Sequence, residues 1–385
     1  MFDYNNYFQE HIGEIVELTT KLTNFESPTA NKSHVDAVGK FIEAELVDAG
    51  ADVERFARTD AGDLLLAKWN ANKLGLPILF VLHMDTVWPL GTLAARPVHI
   101  EGDKLIGPGT YDMKASIALI LVVMRTLRAH QQFPDRPIWV FINSDEETGS
   151  VHSQKVIEQT AKQAGLVLVM EFAAKNEGLK TWRKGVGHYT LRIGGHSSHA
   201  GNAPEKGINA VLEGAHQTLR ISALAAMDVG TSVSVTVFNG GSAVNVIPDV
   251  ATLRVDVRFS TRTEADRVQA GLQALSPVIP GATLALTIDS FRGPMEHDET
   301  MVRTFAQAQK IAAAHGIDLS EDGSGGGSDG NFTAAIGIPT LDGLGSHGDG
   351  AHAVHEHCLI PSLARRAALI SALVCEWPPM PAKNG

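Results

Sequence analysis

The sequence predicts an α/β protein whose main sheet is covered on both faces, with a small α+β domain inserted into it. Three observations point there. The first half alternates strand-like and helix-like segments. Its strands are unbroken apolar runs such as "PILFVL", the pattern of strands buried on both faces. From about Val186 the pattern changes to an alternation of period two in "HYTLRIGG", "SVSVTVFNGG", "ATLRVDVRFS" and "ATLALTIDSF", as expected of a sheet with one solvated face. The first domain is therefore predicted to comprise residues 1–185 and 293–385, and the insertion residues 186–292.

In chain order, "MFDYNNYFQEHIGEIVELTTKL" reads as an amphipathic helix. It lacks the basic start, apolar core and small-residue cleavage site of a secretion signal. Helical periodicity runs from Ser33 to Ala49. A strand follows over Pro77 to Asp85, a helix opens at Asp112 and runs to His130, and strands follow over Pro137 to Glu147 and Leu166 to Glu171. Each of these strands ends in histidine or acid, and in open α/β sheets ligands bind outside the carboxyl ends of strands. Within the insertion, Pro204 to Ser222 reads as a helix. Met301 to His315 and the glycine-rich "GSGGGSDGNFTAAIG" return to the style of the first domain.

A chain of 385 residues suggests two or three domains, and 44% hydrophobic with 19% charged residues is ordinary globular composition. The net charge of -11 argues against nucleic acid, whose phosphates need clustered Lys and Arg. Two cysteines, Cys358 and Cys375, cannot form a disulfide framework. The longest apolar run, "SIALILVVM", falls short of the ~20 residues a membrane helix needs. A cytoplasmic protein without membrane or nucleic-acid partners is expected.

"FINSDEETGS" sets Asp145, Glu146 and Glu147 side by side, and like charges raise one another's pKa unless something positive offsets them. A solvated turn is one answer. Another comes from gathering the ionisable residues at strand ends and helix starts: His83 and Asp85 in "HMDTV", Asp112 in "GPGTYDMK", Glu146 and Glu147, Glu171 in "VMEF", and the histidines of "GSHGDGAHAVHEH". These supply ligands for two metals, and mixed imidazole and carboxylate donors suit zinc best, with cobalt or manganese as substitutes. Adjacent strand-end residues point different ways, so Glu147 can face a metal while Glu146 faces a water. Asp85 is placed to orient the His83 imidazole. Alternatively, Asp112 caps the helix that follows, Glu171 is a solvated strand end, and His83 is a structural histidine.

Together with "GGHSSHAG", "VNVIPD" and "GGGSDG", these motifs resemble metallopeptidase family 20, the dizinc aminoacylases and carboxypeptidases, and within it the glutamate carboxypeptidase branch. The resemblance runs from about Leu79 to His352. It implies a zinc-peptidase-like catalytic domain with a mixed sheet, an inserted dimerisation or lid domain, two zinc ions per subunit and a homodimer. It implies that His83 and Glu171 hold one zinc, Glu147 and His352 the other, and that Asp112 bridges them through a cis Asp112–Met113 peptide. His355 is the alternative late ligand, and the neighbouring histidines are expected to be solvated.

Glu146 is then the general base acting on a metal-bridging water, and Asp85 supports catalysis. The resemblance also implies that His199 reaches a partner's active site to stabilise the oxyanion, and that Arg258 and Asn245 grip the substrate carboxylate; Arg292 is a further candidate, and Ser328 is expected as a polar substrate contact on a loop without the Lys-Ser/Thr ending of a P-loop. The implied reaction is hydrolysis of an amide beside a free carboxylate, with C-terminal glutamate as the branch's preference; a deacylase of acetylornithine or succinyl-diaminopimelate type is the alternative. Met113, Ala115 and Ser116 depart from the branch pattern, which bears on substrate identity. A nucleotide-dependent oxidoreductase would need G-x-G-x-x-G after an early strand, and none is present. A noncatalytic metal-binding module would have no use for Glu146.

Overall fold

A computed structural model describes residues 2–380. The described chain gathers into two compact units: residues 2–182, 297–324 and 328–380 form one, and residues 183–296 with 325–327 the other.

The larger unit is built on a six-stranded mixed sheet in the order 52–56, 64–69, 138–143, 78–83, 166–169 and 340–341. Ile78–His83 is central, with parallel neighbours on both sides: Ile138–Asn143, where His83 pairs with Asn143, and Leu166–Val169, where Val81 pairs with Val169. The chain thus leaves the central strand first to one side and then to the other, which opens a crevice at the shared carboxyl rim. Leu64–Trp69 adds on antiparallel to 138–143. All six residues of Ile78–His83 are buried, as the unbroken apolar run requires. Leu79, Val81, Phe141, Val167 and Val169 form one core with Ile157, Ala161, Phe332 and Ile338, while Phe80 and Leu82 are buried on the opposite face. The helix Ala115–Ala129 is buried along almost its whole length.

Several boundaries differ from the sequence expectation: the helix expected from Pro204 begins at Ala210, after a single turn at Pro204–Lys206, and the strand expected to reach Glu147 ends at Asn143. The N-terminal helix is two helices, Tyr4–Glu10 and Ile12–Thr23, because both the main-chain N–H and Nδ1 of His11 close on the Tyr7 carbonyl and end the first. The helix expected from Asp112 starts at Ala115. Asp112 and Met113 have non-helical backbone, at φ -121° and -133°, within a wide turn, and their peptide is cis. Lys114 N–H donates to Gly109 and no side chain caps the helix, so Asp112 is not its cap.

The smaller unit is a four-stranded antiparallel sheet in the order 232–240, 250–259, 185–194 and 283–292. Its period-two sequence gives alternate burial: Tyr189, Leu191, Ile193, Leu253, Val255 and Val257 pack in the core with Ile221 and Val268 of the helices Ala210–Ser222 and Arg262–Gln273. His188 and Arg192 face solvent between them. Among the described residues, no helix is long and apolar enough to cross a membrane.

Candidate metal centre

The rim of the parallel strands gathers the ionisable side chains. His83 ends the central strand, 2% exposed, and its Nδ1 donates to the Asp85 carbonyl at 3.1 Å. That bond turns Nε2 toward the carboxylates, 3.0 Å from Asp112 Oδ1 and 3.7 Å from Glu171 Oε1. The other oxygen of Asp112 lies 3.3 Å from His352 Nε2, which is also 3.1 Å from Glu147 Oε2. One carboxylate therefore meets two imidazoles, one through each oxygen. Two overlapping groups of ligand atoms result, His83 with Asp112 and Glu147, and His83 with Glu146 and Glu171.

Burial alone would make this crowding costly. Burial raises the Glu147 carboxyl to about 7, with the neighbouring charges of Asp112 and Glu146 adding to it. Hydrogen bonds to Asp112 and Glu147 push the His352 imidazole up to about 10. For His83, burial works against the charged ring, yet Asp112 and Asp85 hold its pKa well above the usual histidine value. Burial likewise opposes the Asp112 charge, and the two imidazoles overcome it, holding this carboxyl far below its ordinary range. A site that draws protons onto its imidazoles so strongly also draws cations. The donor set fits divalent metal: imidazole nitrogens and carboxylate oxygens converge, and Glu147 Oε1 is buried with no hydrogen-bond partner.

The model of peptidase family M20/M25/M40 matches residues 79–376. Carboxypeptidase G2 of Pseudomonas sp. (strain RS-16) is 32% identical over 94% of this chain and 89% of its own. The chain belongs to the M20 peptidase family. It is a metallohydrolase of that family, similar also to a succinyl-diaminopimelate desuccinylase of Xylella fastidiosa (strain 9a5c), at 25% identity over 94% of this chain and 98% of the relative. Among solved structures, aminopeptidase PepT from Bacillus cereus ATCC 10987 shares the fold with a TM-score of 0.75, at 24% identity, covering 95% of this chain and 98% of that one.

Within this M20 enzyme the acidic turn is no solvated loop. Asp145 is 1% exposed and accepts the His152 N–H, the Glu147 side chain is almost wholly buried, and Glu146 is half-buried. Asp85, fully buried, contributes more than the sequence suggested. Its carboxylate lies 3.4 Å from His83 Nδ1, and it accepts the main-chain N–H groups of Glu146 and Glu147 at 3.3 and 3.2 Å and the Thr29 hydroxyl at 2.7 Å. It thus ties the first strand's histidine to the next strand's turn. His352 joins the cluster and His355 does not: the nearest carboxylate to His355 is Asp349, at 4.0 Å. His357, expected in solvent, is buried, with Nδ1 on the His355 carbonyl.

Ser328 departs from the expected substrate contact. It is fully buried, its hydroxyl donates to Asp342, and it accepts the Gly330 N–H. Its neighbour Asp329, not singled out from sequence, accepts from Asn143 and Ser150 on either side of the acidic turn. The adjacent position in "GGGSDG" was the available signal. In the smaller unit, His199 is exposed and its Nδ1 accepts the N–H groups of Gly201 and Asn202, both at 3.1 Å. Asn245 sits beside it, its carbonyl accepting the Ala200 N–H. Arg258 is held by Asp256 through Nε at 3.0 Å and Nη2 at 2.9 Å, and His188 Nε2 lies 3.1 Å from the same carboxylate. Arg292 is half-buried at the end of the last strand of its sheet.

Proposed function

We propose that the protein is a two-zinc amidohydrolase that cleaves an amide beside a free carboxylate, releasing an amino acid from a peptide or an N-acyl amino acid. The observation that carries this reading is the Asp112 carboxylate, whose two oxygens meet His83 and His352 separately. In this reading His83 and Glu171 would hold one ion, Glu147 and His352 the other, and Asp112 would contribute to both. Bound there, the pair of cations would supply Lewis-acid polarisation of the scissile carbonyl and lower the proton affinity of water. Glu146 takes the proton of the attacking water and returns it to the leaving nitrogen as the C–N bond breaks. Asp85 fixes the main chain that carries Glu146.

The occupied Nδ1 of His199 leaves Nε2 as the N–H donor of the neutral ring, which supports a role in stabilising the oxyanion. In a homodimer that donor would come from the neighbouring subunit. Arg258, Asn245 and Arg292 are the proposed hold on the substrate carboxylate. Because Asp256 already engages Arg258, substrate would have to share or displace that partner.

The relative named carboxypeptidase, at 32% identity, supports release of a C-terminal residue, and glutamate is the residue that the motif resemblance implies. The relatives named succinyl-diaminopimelate desuccinylase favour the second reading, an N-acyl amino acid deacylase. Kinetics on peptides ending in glutamate or aspartate beside N-acetyl and N-succinyl amino acids separate the two. For the mechanism, Glu146→Ala is expected to keep two equivalents of metal by elemental analysis and to lose about 10²–10⁴-fold in kcat. A near-normal rate in that variant overturns the assigned base.

A further inference from the structure

Glu356 is a fully buried carboxylate near the metal centre that no step above uses. Its Oε2 accepts the Trp88 indole N–H at 2.6 Å and the Gly109 N–H at 2.8 Å, and its Oε1 accepts the N–H groups of Tyr111 and Asp112, both at 3.1 Å. Its own carbonyl accepts the Gly107 N–H at 3.3 Å, and its N–H donates to Ala353. The loop 107–112 thus closes around one carboxylate, and the last residue of that loop is Asp112. Glu356 also ends the turn that presents His352, which has the left-handed φ of 62°. The two ligand-bearing segments are far apart in sequence, and this side chain joins them. The Arg96 guanidinium stacks on Trp88, 4.5 Å from the ring centroid.

We propose that Glu356 is a positioning residue for metal binding: by gathering the amides of the 107–112 loop it fixes the main chain of Asp112 and ties it to the His352 turn. This rests on the two-metal reading above. A carboxylate suits the task because all four donors need acceptors, and an amide would set its NH2 group against two of them. Asparagine or glutamine at 356 therefore satisfies only part of the loop, and aspartate is one methylene too short to keep both oxygens in place.

The test uses the full-length protein, stripped of metal and titrated with Zn2+ and Co2+. Glu356→Gln is expected to lose about 10–100-fold in metal affinity, the range seen when partners of metal ligands are removed. Trp88→Phe, which keeps the ring and deletes one donor, should move the affinity the same way by less. A merely structural role would lower the melting temperature and leave the affinity of the folded protein alone. Hydrogen exchange of the metal-free protein gives a second readout: the amides of Tyr111 and Asp112 should be protected in the wild type and exchange faster in Glu356→Gln. Wild-type affinity together with wild-type protection in Glu356→Gln overturns the inference while leaving the two-metal reading intact. A wild-type protein that binds no metal overturns that reading and the inference with it.

Discussion

His352 and His355 differ by three positions and by everything that matters to a cation. Both rings are exposed, but His352 Nε2 stands within 3.3 Å of two carboxylates, while His355 comes to 4.0 Å from one. Replacing His352 with alanine is expected to weaken one metal equivalent by more than the ~10–100-fold lost with an outer partner, and His355→Ala should leave both unchanged in a Zn2+ titration. The left-handed backbone at His352 is the kind of strain found where function fixes a residue. Asp85 carries a different expectation. Alanine there takes the acceptor from the Thr29 hydroxyl and two half-buried main-chain donors, so urea unfolding should register a loss below the ~1–3 kcal/mol that each fully buried donor would cost, and kcat should fall with it. At this scale the sequence named the residue types of the cluster well, since ligand chemistry restricts them to His, Asp and Glu. The burial of Ser328 against Asp342 and the contacts of Asp329 and Glu356 were not legible, because a polar side chain's direction depends on contacts distant in sequence.

Elements were legible where periodicity was strong. The buried strand at 78–83 and the alternating strands of the smaller unit lie where their patterns put them, because each pattern reports how many faces are covered. Helix starts were less legible: the helix after Asp112 begins at Ala115, since the wide turn at Thr110–Lys114 turns the Asp112 carboxylate to His83 and His352 instead of the helix start. In the smaller unit one helix is fastened through Glu213, whose carboxylate accepts the N–H groups of Val278 and Ile279 and the amide of Gln217. Burial would raise this carboxyl, but those hydrogen bonds prevail and hold it below its ordinary value of 4.5. A depressed folded pKa gives stability that is complete above the unfolded value and is lost as pH falls through the folded one. Urea unfolding from neutral to acid pH should show that loss in the wild type and a shallower one in Glu213→Gln, while Glu213→Ala should cost about 1–3 kcal/mol at neutral pH.

At the scale of the whole molecule, clustered carboxylates make folding and metal binding one equilibrium. A cation that binds only the folded state adds ~2.7 kcal/mol of apparent stability at a hundredfold excess over its Kd. Chelation should therefore lower the melting temperature, and Zn2+ or Co2+ should restore it together with activity; a melt indifferent to both would remove the metals from this site. The sequence by itself determined the covered α/β sheet, the alternating insertion and the inventory of ligand types, because burial periodicity and metal chemistry are properties of short stretches. Only the tertiary structure decided which oxygens face which imidazoles, that Asp85 binds the Glu146 turn, and that Glu356 gathers the loop of Asp112. Those facts depend on contacts between segments as far apart as Asp112 and His352, which only the folded chain brings together.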